Sequence, residues 1–165
     1  MNYELRTTNY KLRTPFLVRE GKAAMQVQEV MVRDVATLDV DDELSLANDI
    51  MKLGRIRHLP VVSGKKLVGI LSERDLFRSS LLEALGHEPA KTREVMKAVR
   101  IQDIMVKTVI TIGPEAHIRE AVKLMLTHKI GCVPVVAGGE LLGLITETDI
   151  LRLYLEQLSG PGRRA

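Results

Sequence analysis

Apolar positions along this chain fall into two alternating rhythms. Leu44, Ala47, Ile50, Met51 and Gly54 follow the three-to-four spacing of a helix with one buried face. The acidic run Asp39-Val40-Asp41-Asp42-Glu43 precedes them, where carboxylates suit the positive end of a helix, and a short strand is expected just before it near Thr37-Leu38. An uninterrupted apolar run from Leu59 to Val62 then meets the polar turn Ser63-Gly64-Lys65, and Leu67 to Leu71 reads as a second strand. Ser72 and Asp75 open the last helix, so the order is strand, helix, strand, strand, helix.

That order returns farther on. Ile118, Ala121, Val122 and Met125 repeat the helical stripe, with Pro114 expected at the helix start. A shift of 74 positions lays one half on the other without a gap. It carries Gln28-Glu29-Val30-Met31-Val32 onto Gln102-Asp103-Ile104-Met105-Val106, Pro60-Val61-Val62 onto Pro134-Val135-Val136, and Ser72-Glu73-Arg74-Asp75 onto Thr146-Glu147-Thr148-Asp149. Surface dominates in units below roughly 60 residues, so two such copies predict one pseudo-symmetric domain, with any site between them occurring twice. The expected organisation is a basic leader (1–24), repeat one (25–85), a linker (86–98) interrupted at Gly86-His87-Glu88-Pro89, repeat two (99–158) and a tail (159–165).

Composition refines this picture at one point. The pI near 9.1 raises nucleic-acid binding, yet the surplus has an address. Arg6, Lys11, Arg13, Arg19 and Lys22 against Glu4 and Glu20 account for the whole net charge of +3. Beyond the leader the only aromatics are Phe77 and Tyr154, too few for a base-stacking platform, and nucleic acid is not an expected partner. The leader reads as a duplicated heptapeptide, and repeat one becomes recognisable just after Met25, which is expected to be the working start. No stretch has the apolar length of a signal core or a membrane span, so no membrane association is expected and the cytoplasm is the expected compartment.

Candidate chemistry concentrates at Ser72-x-x-Asp75 and Thr146-x-x-Asp149. Taken alone, this spacing is a helix capping box. His117 and His128 stand eleven residues apart, roughly 16 Å along a helix and too far for one metal. His58 and Cys132 are equivalent under the shift, and a buried Cys is ordinarily a small hydrophobe. No phosphate-binding glycine loop or nucleophile elbow occurs, so neither a reaction, a catalytic residue nor a metal is expected.

Taken together, Val30-Met31 with Val35, Ile56-Arg57-His58-Leu59-Pro60-Val61-Val62, Leu67-Val68-Gly69-Ile70-Leu71-Ser72-Glu73-Arg74-Asp75 and their counterparts resemble the CBS domain. The tandem arrangement resembles a Bateman module over about residues 27 to 155 and is similar to stand-alone bacterial two-CBS proteins and to the CBS part of acetoin-utilisation regulators. The resemblance implies an α/β (α+β) fold of two repeats packed sheet against sheet. It also implies adenosine-containing ligands in clefts between them, the Asp carboxylate taking the ribose diol and the Ser or Thr hydroxyl assisting. One cleft would use Ile70, Ser72, Arg74 and Asp75 with Val109, Ile110 and Ile130. The other would use Leu144, Thr146, Thr148 and Asp149 with Val35, Ala36 and Ile56. Backbone groups of Val35-Ala36 and Val109-Ile110 would read the adenine edge. Arg57 would face phosphate, where its counterpart is Gly131, and Arg74 is matched by Thr148. The Arg74 cleft is therefore expected to favour the more phosphorylated ligand.

No cofactor is required in this reading; the ligand would be AMP, ADP, ATP or another adenosyl compound, S-adenosylmethionine and dinucleotides included. Apolar residues in excess on the two terminal helices (Leu76, Phe77, Leu81, Leu82 and Leu85; Ile150, Leu151, Leu153, Tyr154 and Leu158) suit either a partner or packing between the repeats, and the resemblance implies a homodimer. The module would regulate another protein in trans. The competing reading is a constitutive scaffold whose Ser/Thr-x-x-Asp pairs only cap helices.

Overall fold

The computed structural model describes residues 25–77, 94 and 96–159. The leader, Leu81, Leu82, Leu85, the interruption at Gly86-His87-Glu88-Pro89 and the tail beyond Ser159 lie outside the described residues. The first half runs α1 (Val27–Val30), β1 (Leu38–Asp39), α2 (Leu44–Gly54), β2 (His58–Ser63) and β3 (Lys66–Ser72), after which residues 73–77 are helical. The second half runs α3 (Ile101–Ile104), α4 (Ile118–His128), β4 (Cys132–Ala137), β5 (Glu140–Thr146) and α5 (Glu147–Ser159).

Local chemistry explains the boundaries. The turn between β2 and β3 places Gly64 at φ +63°, and that between β4 and β5 places Gly138 at +59° and Gly139 at +86°, a region that costs glycine nothing. Both hairpins slip register at the same point, between Val61 and Val62 and between Val135 and Val136. The strand expected ahead of α4 shrinks to one parallel bridge, Ile112 with Val135, the equivalent of Leu38 with Val61. Pro114 does not start α4, which begins at Ile118 behind His117. The Pro114 carbonyl instead accepts the Gln28 amide at 2.9 Å, holding a turn at Pro114-Glu115 against the other half.

The strands form one sheet in the order β1-β2-β3-β5-β4, joined between halves at Lys66 and Glu140. Reciprocal bonds flank that joint: Leu67 N–H to Gly139 C=O at 3.1 Å and Leu141 N–H to Lys65 C=O at 3.0 Å.

The core is not one but two, and each is completed by the other half. Leu38, Leu44, Ala47, Met51, Leu59, Val61 and Leu71 enclose Met96 from the linker and Ile101 from the second half. Ile112, Ala121, Met125, Val133, Val135 and Ile145 enclose Val27 and Met31 from the first. The short lead-in helices α1 and α3 have therefore traded places. Backbone bonds hold the exchange symmetrically, Val27 N–H to Ala116 C=O at 2.9 Å answering Ile101 N–H to Asp42 C=O at 3.0 Å. Val32 and Leu144 exchange both their bonds at 2.9 Å, as Ile70 and Val106 do at 3.0 and 2.9 Å. At these crossings Gly143 is obligatory, since a Cβ there would lie 2.5 Å from the Val32 carbonyl oxygen, whereas one on Gly69 would displace the Met105 side chain.

Candidate functional site

Each half turns a corner from strand to helix at its hydroxyl and carboxylate pair. The Thr146 hydroxyl and amide both donate to Asp149 Oδ2, at 2.6 and 2.9 Å, and the Asp149 amide returns a bond to Thr146 Oγ1 at 3.4 Å. Ser72 and Asp75 repeat this at 2.5, 3.0 and 3.3 Å. The capping boxes are thus formed, and one oxygen, Oδ2, serves the cap in both. A further pair of bonds pins each corner to the preceding strand: Glu73 N–H to Arg57 C=O at 2.9 Å and Glu147 N–H to Gly131 C=O at 3.0 Å. The helix start, the strand start and the intervening hairpin consequently move as one piece.

Two clefts open between the halves at these corners. The first encloses about 600 Å³ and is lined by Ile70, Ser72, Arg74 and Asp75 together with Val109, Ile110, Ile130 and Gly131. The second encloses about 260 Å³ and is lined by Val35, Ala36 and Ile56 together with Leu144, Thr146, Thr148 and Asp149. The structure thus brings each expected set to a single cleft. Arg57 alone differs: it lines both.

Sequence reasoning missed the remaining charges. Lys129 lines the first cleft and Arg55 the second, and the two are equivalent under the shift. They are the C-caps of α4 and α2 and hold φ +54° and +50°, the only non-glycine residues at positive φ among the described residues. A basic residue directly after a helical stripe, where glycine usually closes the helix, was the available signal. Arg152 also lines the second cleft, its Nη1 4.0 Å from Asp149 Oδ1. It reads in sequence as an exposed helix face. The first cleft holds Arg57, Arg74 and Lys129 against Glu73, Asp75 and Glu147, and the second holds Arg55, Arg57 and Arg152 against Asp34 and Asp149. The expectation that the Arg74 cleft favours the more phosphorylated ligand took account of Arg57 and Arg74 alone, and the fold also brings Arg55 and Arg152 to the other cleft.

His58 lines both clefts beside Arg57. Burial, with the Arg57 charge second, pushes its pKa below the usual histidine value, so the imidazole is neutral at neutral pH; Glu147 and Asp75 pull weakly the other way. Its counterpart Cys132 is buried against the first cleft, and burial pushes the thiol up to about 12, with Asp149 acting in the same direction. A buried thiol held protonated is a poor nucleophile. No group of three metal-binding side chains occurs among the described residues, and no described helix is long and apolar enough to cross a membrane.

Comparison with known proteins agrees with this geometry. The CBS domain family matches residues 27–82 and 101–156. The chain is 36% identical over 137 residues to an inosine-5'-monophosphate dehydrogenase of Korarchaeum cryptofilum, covering 81% of this chain and 25% of that enzyme. It spans about a quarter of the length of the dehydrogenases it matches. A crystal structure of a candidate acetoin utilization protein from Vibrio cholerae superimposes with a TM-score of 0.70 at 31% identity, over 83% of this chain and 95% of that one. The CBS domain pair of protein MJ0100, crystallised in complex with 5-methylthioadenosine and S-adenosyl-L-methionine, superimposes with a TM-score of 0.68 at 26% identity, over 82% and 99%.

Proposed function

The chain belongs to the CBS-domain family as a tandem pair, and from that premise we propose that it is a regulatory ligand sensor, not an enzyme. It binds AMP, ADP, ATP or a related adenosyl compound in the clefts between its repeats and passes the change in their mutual orientation to a partner protein. One observation carries the reading: each cleft holds a carboxylate and hydroxyl at a strand-to-helix corner, faced by apolar side chains from the other repeat and rimmed by three cations. A carboxylate accepts two bonds from a ribose diol, the apolar walls sandwich a purine, and the cations meet phosphate. The occupied MJ0100 pair supports an adenosyl ligand. In this reading the ligand-binding residues are those placed in the clefts above, with no cofactor or metal required. Since the ligand touches both repeats, it favours one orientation only as far as it binds that orientation better.

The second reading, a constitutive scaffold, rests on the completed capping boxes, which account for both pairs without any ligand. Calorimetric titration with AMP, ADP, ATP, NAD and S-adenosylmethionine separates the two. The sensor predicts saturable binding, weakened in Asp75→Ala or Asp149→Ala. An absence of heat and of thermal shift with every compound would favour the scaffold instead, or a ligand outside the adenosine class.

The sensor works as a homodimer. Leu151, Leu155 and Leu158 are each about two thirds exposed and recur along one stripe of α5, with Tyr154 beside them. Such a face is suited to a second copy of itself. Light scattering should give twice the 18.4 kDa chain mass, reverting to the chain mass in Leu155→Asp. The cytoplasm, where adenine nucleotides are plentiful, is the compartment this reading expects.

A further inference from the structure

We infer that the two clefts compete for Arg57, so that a phosphate-bearing ligand in one weakens the binding of a second phosphate-bearing ligand in the other. An uncharged nucleoside carries no such penalty. The inference rests on the adenosyl-ligand reading above and adds to it how the sites communicate.

Arg57 lies at the entry to β2 and lines both cavities. No other cation does so among the described residues. Its charge decides the balance on either side. With Arg57 counted, the first cleft matches three cations to three carboxylates; without it, the carboxylates outnumber the cations. The second cleft has a surplus of one cation with Arg57 and none without it. A guanidinium carries one charge and five donors in one planar fork, so turning the fork fully onto a phosphate in one cleft takes it from the other. His58, the other shared wall, cannot substitute, because burial keeps it uncharged. The second half provides no duplicate either, since the equivalent of Arg57 is Gly131.

The backbone makes this communication rigid. The Arg57 carbonyl is bonded to the Glu73 amide, so the shared residue is fixed to the corner that carries Ser72 and Asp75. A side-chain swing toward the second cleft removes charge from the first without moving that corner.

The test uses the full chain and two probes, AMP and adenosine. Asp75→Ala and Asp149→Ala each leave one cleft intact and give its affinity alone; Asp→Asn at the same positions keeps the helix cap should the alanine variants unfold. In the unsubstituted chain the second AMP should bind about tenfold or more weakly than that cleft binds it alone, while two adenosines bind as independently as the single-cleft values require. Arg57→Ala should weaken the first AMP and erase the gap between first and second. A second AMP binding at its single-cleft affinity, a gap that survives Arg57→Ala, or a cleft that takes no AMP even when alone would each overturn the inference. Failure of the underlying adenosyl reading looks different, as neither adenosine nor AMP would bind anywhere.

Discussion

The two clefts have nearly the same backbone and different tempers. Turn glycines, hairpin slips, corner hydrogen bonds and left-handed helix caps all recur in both halves. The side chains presented at those recurring places have drifted: Arg57 against Gly131, His58 against Cys132, Arg74 against Thr148, Asp34 against Thr108. One cavity is more than twice the volume of the other. Packing and backbone pairing tolerate little, whereas a cleft wall tolerates any residue that avoids a clash. Duplication thus supplied two identical frames, and charge then distinguished them.

The largest blow to this near-equivalence is Ile101→Ala. Ile101 is fully buried in the first half's core although it sits in the second half of the sequence, and its truncation should cost about 2–5 kcal/mol. Hydrogen exchange should show protection lost in β1 to β3 before β4 and β5; the opposite order would refute the exchange of lead-in helices.

Next come opposite pH responses at one equivalent position. Cys132 has its folded pKa raised from 9.0 to about 12, so its contribution to stability is complete below pH 9 and declines as pH rises toward 12, by up to about 1.4 kcal/mol per pH unit. His58 has its folded pKa lowered from 6.5, so its contribution is complete above pH 6.5 and declines with acid. Denaturant midpoints across pH should lose the alkaline slope in Cys132→Ala and the acid slope in His58→Phe.

Smaller still, Asp75→Ala and Asp149→Ala should each cost about 1 kcal/mol through the lost cap and abolish binding in their own cleft only. Equal ligand loss in both clefts from either substitution would dissolve the distinction between them. Smallest, Arg152→Ala should weaken AMP only in the Asp149 cleft, a few-fold and less at high salt, because Arg152 is largely exposed.

Helices, hairpins and corner pairs were legible in the sequence because each has a local cause: a helical stripe, a turn glycine, a hydroxyl three residues before a carboxylate. The residues grouped by cleft were legible too, through the 74-residue shift and the family resemblance. The traded helices were not. Four residues of α1 contain too little periodicity to signal a helix, and pairing with Ala116 leaves no trace near Val27. Pro114 was misplaced for the same reason, as its carbonyl's partner is 86 residues away at Gln28. Arg152 escaped notice because an exposed cation on a helix looks alike in sequence whether it meets solvent or a cleft.

The traded helices also bear on how the chain is made. As the protein emerges from the ribosome, the strands around Leu59 and Leu71 have no complete interior until Ile101 has followed them out. Val27, among the first described residues to appear, waits longer still, for the strands holding Val133 and Ile145. Neither half can finish ahead of the other, and closing such distant contacts is slow. The nascent chain is thus left with apolar surface uncovered for most of its synthesis, the condition under which folding chains aggregate.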